Sequence, residues 1–365
     1  MTRILATIGP ASEGKNLNKF LQKSDVVRLN MSHNSIDWHK KIINKIKKRD
    51  KKKTILVDIP GVKPRTLNSK ILKIKKGQIL KFVYSKIKSN DIILLSNPLP
   101  KLTKKPDFFS LSDGMFEFKF ISLKKNTLTG KALQNFDLAP KKGLNIPLAV
   151  YNDSLQEKLY FKYLNKIKKF NIDCVGLSFI QNSKILKKLK EKFPKFLFIS
   201  KLENSLGYIN RKEIIHNSDA IMIDRGDLSA EVGITNLSSY SEKIIDDCKN
   251  LGKPTIIATE NLNSLINEKT PTKSDVINID YYLAKKVDYL MLSDETATSK
   301  NWLNALNWIN KYLEKKFISN KINKVLSIRD LIKNFNNQTV IIFSKKGYFY
   351  EKVFNSNFKK LIFFS

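Results

Sequence analysis

Histidine, cysteine and glycine are scarce in this chain. Its 365 residues include 3 histidines, 2 cysteines and 13 glycines. His33, His39 and His216 are too few and too scattered for a histidine-built metal centre. Cys174 and Cys248 form neither a CxxC pair nor a zinc-ligand spacing, which fits a reducing, cytoplasmic setting. No run of about 18 apolar residues occurs, so no membrane-spanning helix is expected. The opening MTRILATIGP has no apolar core or cleavage site of a secretory signal. A GxxxxGK[ST] segment is also missing, so a nucleotide would not be held by a P-loop. Acids are half as common as bases, 33 against 67, which leaves a net charge of +34. Such a charge raises the question of nucleic acid. However, the lysines are spread over every segment, without RNA-recognition signature or aromatic–basic platform. Abundant Lys, Asn, Ile and Phe with little Gly reads instead as A+T-rich codon drift. Neither nucleic acid nor membrane is expected as a partner.

What the chain does contain is a recurring unit: a short apolar run followed by a lysine-rich stretch of helical length. Eight runs read as strands, at 3–8, 26–31, 54–59, 174–180, 196–203, 220–225, 254–260 and 289–295. Helix-like patterns such as 183–192 and 238–251 lie between them. Alternating strands and helices predict a parallel sheet, and eight such units predict an α/β fold of the (β/α)₈ TIM-barrel type. One interval, 65–171, is oversized. Its strand-like stretches at 71–75, 78–84, 92–95 and 116–123 predict a small β domain inserted after strand three.

Chemistry in such a barrel sits at the C-terminal ends of the strands. Lys201 and Glu203 are two apart on one strand and so share a side. The next run ends in Asp224-Arg225-Gly226-Asp227. Carboxylates Glu203 and Asp227 with the Lys201 ammonium suit a hard divalent cation beside a transferring phosphoryl group. Ser32, His33, Asp58, Thr259, Glu260, Ser293 and Glu295 fall at other strand ends.

These segments resemble the pyruvate kinase family. The carriers, in family order, are TRILATIGPAS (2–12), RLNMSH (28–33), DIPGVKPRT (58–66), Asp113-Gly114, KGLNIP (142–147), SKLEN (200–204), RGDL (225–228), Ala258-Thr259, PTK (271–273) and MLSDETA (291–297). They span about residues 1–315. The resemblance implies transfer of the phosphoryl group of phosphoenolpyruvate to ADP, giving pyruvate and ATP. It implies Mg2+ (or Mn2+) on Glu203 and Asp227, Lys201 on the moving phosphoryl group, Thr259 facing the enolate carbon and Ser293 near the proton path. Arg28, His33, Arg65 and Lys142 would contact phosphates. Backbone N–H groups of Arg225, Gly226 and Asp227 would take the substrate carboxylate. Asn30, Ser32 and Asp58 match ligands of a monovalent cation. Lys63 stands where the potassium-independent branch has lysine, so K+ is not expected to be required, although Pro64 threatens to turn Lys63 away.

By the same resemblance the chain divides into barrel (1–65), inserted lid domain (66–141), barrel (142–318) and a remnant C-terminal α/β segment (319–365). The segment 338–343 reads as the first strand of the family's C-terminal domain and 344–347 as its loop. The shortened segment predicts a homo-oligomer that is a dimer rather than a tetramer. Departures from the family pattern are Asn34 and Ser229 in place of glycine, Asp224 in place of alanine, Glu260-Asn261 after Thr259, and Val62 with Pro64 in the loop after strand three. Two other readings remain: a decayed barrel retained as a binding protein, and a different barrel enzyme acting on a 2-oxo acid.

Overall fold

The computed structural model describes residues 2–85, 92–124, 126–333, 339–343 and 360–364, with side chains through residue 317. Eight parallel strands close into a barrel: β1 (Arg3–Thr7), β2 (Val26–Asn30), β3 (Thr54–Ile59), β4 (Cys174–Leu177), β5 (Leu197–Leu202), β6 (Ala220–Asp224), β7 (Thr255–Ala258) and β8 (Tyr289–Leu292). Each pairs with its sequence neighbours, and β1 closes on β8 with Arg3 opposite Tyr289. The strands are continuous Val/Ile/Leu runs because both faces are covered. Helix Ile36–Arg49 shows the complementary pattern. Ile42, Ile43 and Ile46 are buried on one stripe while Lys40, Lys41 and Lys48 face water. The PTK segment turns out to be a helix start: Thr272 and Asp275 form a capping box for helix Lys273–Ala284.

Inside the barrel, Leu5, Val26, Leu56, Cys174, Ile199, Met222, Ile256 and Met291 form one apolar layer, one from each strand. Side chains alternate along a strand, so the residues two further on face the same axis. Those residues are Thr7, Arg28, Asp58, Gly176, Lys201, Asp224, Ala258 and Ser293. A single polar layer thus caps the apolar one at the C-terminal mouth. Gly176 leaves the room that Asp58 uses, since a Cβ there would stand 3.1 Å from Asp58 Oδ1.

Several strands end earlier than the sequence suggests. The fourth stops at Leu177, and Phe179 takes a left-handed backbone, φ 61°. The seventh stops at Ala258, and Thr259 and Glu260 are both left-handed. The sixth and eighth give way to helices Arg225–Val232 and Asp294–Ala297. Apolar runs carry through these points, but the mouth bends the backbone to aim polar groups inward. Asn34 also has φ 60°, so the family's glycine is replaced by a residue that tolerates this region.

The insertion after β3 is a six-stranded sheet with two accessory strand pairs, built on Phe82, Phe109, Phe118 and Phe136. Its sheet takes in Leu144–Asn145, paired with Phe108–Leu111. Its core runs on without a break into Val62, Ile146, Tyr151 and Phe179. Residues Trp308–Ser365 form a second compact unit, in which strands Thr339–Phe343 and Lys360–Phe364 pair in parallel. The expected loop 344–347 lies outside the described residues. No described helix is long and apolar enough to cross a membrane.

Barrel closure depends on a close approach at Gly9, just past β1. A Cβ there would lie 2.5 Å from Ala297 O and 2.9 Å from Ala297 Cβ. Gly9→Ala is expected to cost about 1–3 kcal/mol through this overpacking. A urea titration reads the loss, and an unchanged midpoint would show that the mouth can give way.

Candidate active site

A cleft of about 630 Å³ opens at the barrel mouth beneath the insertion. Lys201 is its hub. The ammonium lies 2.9 Å from Glu203 Oε2, 3.0 Å from Asp224 Oδ2 and 3.6 Å from Asp58 Oδ2. Burial works against a charge here, but the three carboxylates outweigh it and hold the ammonium well above its ordinary range. Asp58 is equally committed. Arg28 donates to its Oδ2 from Nε (3.0 Å) and Nη2 (2.6 Å), and Ser178 donates to Oδ1 at 3.2 Å. Burial alone would raise Asp58, but Lys201 and Arg28 outweigh it and keep the carboxyl low.

Glu203 is fully buried and receives the Phe179 N–H at 2.6 Å on Oε1. The left-handed turn at Phe179 is what delivers that donor. Its other oxygen, Oε2, sits beside Lys201 but off the hydrogen-bond line, and has no hydrogen-bond partner. Burial, with Asp224 and Asp227 adding to it, pushes the Glu203 carboxyl well up. Oxygens of Glu203, Asp224 and Asp227 lie within 4.8 Å of one another. An orphaned buried carboxylate oxygen within an all-oxygen triad fits a hard divalent cation.

Asp227 stands in the first turn of helix Arg225–Val232 and takes two donors on Oδ1: Asn145 Nδ2 at 2.9 Å and the Lys63 ammonium. Lys63 also reaches Asp113 Oδ1, 2.8 Å away in the inserted domain. It is 4% exposed, so Pro64 does not turn it outward. Burial opposes its charge, but Asp227 and Asp113 prevail and raise it.

The cleft brings together Arg28, Asn30, Ser32, His33, Asp58, Lys63, Arg65, Lys142, Lys201, Glu203, Asp227, Thr259 and Ser293 from the sequence reading. Their states differ. Arg28 is spent on Asp58 and Thr7 Oγ1. Arg65 is exposed, with one bond from Nη1 to Lys141 O at 3.3 Å. Lys142 is half-buried, and the Ser293 N–H goes to Glu295 at 2.7 Å. Burial and then Arg65 lower the His33 imidazole, which favours its neutral form. Asn30 Oδ1 accepts the Ser32 N–H. Both Asp58 oxygens are engaged, Oδ2 by Arg28 and Oδ1 by Ser178.

Arg225 and Gly226 do not line the cleft. The Arg225 guanidinium is buried and clamps the β7 loop through Ala258 O, Thr259 O, Asn261 and Asn278. The Gly226 N–H points to Thr259 Oγ1 at 3.0 Å. Asn261, a departure from the family pattern, is therefore part of this clamp. Sequence reading missed Asp224 as a third acid of the cluster, although strand parity from Met222 marks it. It also missed Asp113 and Asn145 as neighbours of Asp227, which no local pattern reveals.

Lys63 occupies the side of Asp227 that a divalent cation would share. Lys63→Met is expected to tighten Mn2+ binding by about tenfold, or about 1.4 kcal/mol of removed competition. Calorimetric titration without substrates measures it, and an affinity equal to or weaker than wild type would refute the competition.

The model of the pyruvate kinase barrel domain matches residues 1–306. Curated relatives include the pyruvate kinases of Thermococcus litoralis and Methanocaldococcus jannaschii. The first is 30% identical over 313 residues, 82% of this chain and 66% of the relative. The second is 30% identical over 314 residues, 85% of this chain and 68% of the relative. That of Thermotoga maritima is 31% identical over 324 residues, 85% of this chain and 70% of the relative. The chain thus spans about two thirds of the length of the relatives it matches. With its closed eight-stranded barrel, the acid cluster around Lys201 and a barrel match that runs nearly its full length, the chain belongs to the pyruvate kinase family of phosphotransferases.

Proposed function

We propose that the chain transfers the phosphoryl group of phosphoenolpyruvate to ADP, giving pyruvate and ATP, the last step of glycolysis. The observation that carries this reading is the buried Lys201 ammonium set against Glu203, Asp224 and Asp58. In-line phosphoryl transfer needs positioning and charge neutralisation more than covalent chemistry. Lys201 is aimed, without reorganisation, at charge developing on the phosphoryl oxygens. Glu203 and Asp227 would hold Mg2+ or Mn2+, which would neutralise charge on phosphate oxygens. Arg65 and Lys142, exposed and half-buried at the two joints of the insertion, would meet nucleotide phosphates. Arg28 acts at one remove, by holding Asp58. The Thr259 hydroxyl, which accepts the Gly226 N–H, links the helix N-terminus to the enolate side and would exchange that bond as the substrate carboxylate arrives. Ser293 would lie on the path of the proton to the enolate. A relative from Nicotiana tabacum, 30% identical over 315 residues, is named a cytosolic isozyme, and the same compartment is proposed here.

One observation favours the second reading, a decayed barrel kept for binding: Lys63 and the Gly226–Thr259 contact occupy groups that substrate and metal would use. A coupled assay of ADP phosphorylation separates the two. Turnover that requires both phosphoenolpyruvate and Mg2+ supports transfer, and none at any enzyme concentration supports decay.

Lys201→Met is expected to lower the rate by on the order of 10²–10³ or more while circular dichroism stays native, because a preorganised charge is lost. Near-wild-type turnover would remove Lys201 from the mechanism. Lys63 supplies a tethered unit charge, so the wild-type rate without potassium is expected to lie within about threefold of that with it. Lys63→Glu should create a potassium requirement. Initial rates against potassium, with tetramethylammonium holding ionic strength constant, decide this. A wild-type rate that climbs by roughly tenfold with added potassium would reject it, since screening is held constant.

A further inference from the structure

Glu231 takes no part in the chemistry above, yet it is a carboxyl only 2% exposed, one helical turn after Asp227. The side chains at these two positions share a helix face. Its partners come from elsewhere. Tyr151 donates its phenolic O–H to Glu231 Oε1 at 3.2 Å. The Ser205 hydroxyl lies 3.4 Å from Oε2 and 3.1 Å from the Glu231 carbonyl oxygen. Ser205 Oγ in turn accepts the Leu148 N–H at 3.3 Å. Residues 148 and 151 flank the short strand Ala149–Val150, where the chain re-enters the barrel, and that strand pairs with Lys101–Leu102 of the inserted domain. Glu231 therefore grips the re-entry segment on both sides from the helix that carries a candidate metal ligand.

We propose that Glu231 is a positioning residue that locks segment 148–151, where the chain leaves the inserted domain, to the helix bearing Asp227, so that the insertion and the candidate metal ligand are set by one buried contact. It acts through Tyr151 and Ser205 on one side and through the helix on the other. A salt bridge does not explain its burial, because no cation pairs with it among the described residues. Burial and then the Asp227 charge push its carboxyl up to about 8, while Tyr151 and the more distant Lys63 pull the other way. Tyr151 itself is raised well above its ordinary range by burial and then Glu231. At neutral pH Glu231 is thus an uncharged acid. Opening the contact returns the carboxyl to its ordinary value of 4.5 and releases the proton, so the lock weakens as pH rises toward about 8.

The inference deepens the phosphoryl-transfer reading and rests on it for the meaning of Asp227, so its test avoids turnover. Hydrogen exchange is followed in the full chain at the amides of Leu148 and Tyr151, the latter bonded to Gln181 Oε1 at 2.9 Å. Glu231→Ala is expected to speed exchange at both by about tenfold, the scale of one lost buried hydrogen bond, with the β5 amides unchanged. Glu231→Gln keeps two polar atoms and should restore protection to within about threefold of wild type. After correction for intrinsic exchange, wild-type protection should fall as pH rises from about 5 to about 8 and level off above, and that of Glu231→Gln should not. Mn2+ titration without substrates should show weaker binding in Glu231→Ala than in Glu231→Gln. Equal protection of the two amides in both variants, or equal Mn2+ affinity, overturns the proposal. If Glu231→Ala does not fold, Tyr151→Phe, which removes one hydroxyl, decides on the same amides and titration. Absence of turnover would defeat the functional reading and leave these readouts standing.

Discussion

The structure depends on a charge balance that does not close. Three buried cations, Arg28, Lys63 and Lys201, face five carboxylates, Asp58, Asp113, Glu203, Asp224 and Asp227, at the barrel mouth. Arg28, Lys63, Lys201, Asp58, Glu203 and Asp224 are buried, so solvent screens the charges among them only weakly. The surplus of acid appears where it should. Glu203, the deepest of the group, is pushed toward its neutral form and keeps an oxygen with no hydrogen bond. A divalent cation is the ligand that removes both defects at once. An ammonium can relieve one carboxylate but leaves the sum short, and Lys63 on Asp227 is such a partial answer.

Strand parity accounts for most of what the sequence made legible. Both faces of each barrel strand are buried, so the strands read as unbroken apolar runs, and the eight found by reading are the eight in the barrel. The period of two then carries the apolar layer at Ile199 to Lys201, and that at Met222 to Asp224. Lys201 with Glu203 could be read because both chemical groups lie on one strand. The strand ends could not be read. Phe179 and Thr259 sit in apolar or strand-like surroundings, yet the backbone there is left-handed. Those conformations are set by what the turn must deliver, a donor to Glu203 and a hydroxyl to Gly226, and not by local propensity.

Tertiary reach accounts for the rest. Asp113 and Asn145 belong to the insertion and its exit, and they meet Lys63 and Asp227 only because the inserted sheet folds back over the mouth. Arg225 shows a second kind of reach. The sequence assigns a role only to its backbone N–H, and its guanidinium ties β6 to the β7 loop. A motif records that a residue is needed at a position; whether it serves by side chain or by backbone depends on the rotamer that packing allows. The departure at Val62 follows the same logic. It reads as a disturbance of the loop after strand three, but Val62 is 2% exposed and anchors the core that the insertion shares with the barrel.

That shared core divides the labour between two seams of the lid. On one side the insertion is fused to the barrel through Val62, Ile146, Tyr151 and Phe179, all buried. Separating them would return apolar surface to water at about 1.5–3 kcal/mol for each large side chain. On the other side the contact is ionic, Lys63 between Asp113 and Asp227. A buried ion pair is near balance, because desolvation offsets most of its attraction, and an incoming ion or phosphate can replace either partner. If the insertion opened, the ionic seam would part first and the apolar seam would serve as its hinge. Phe179 stands on both sides of this division. Its ring is part of the hinge core, while its N–H holds Glu203. One left-handed residue after β4 thus joins the core shared with the insertion to the donor that holds Glu203.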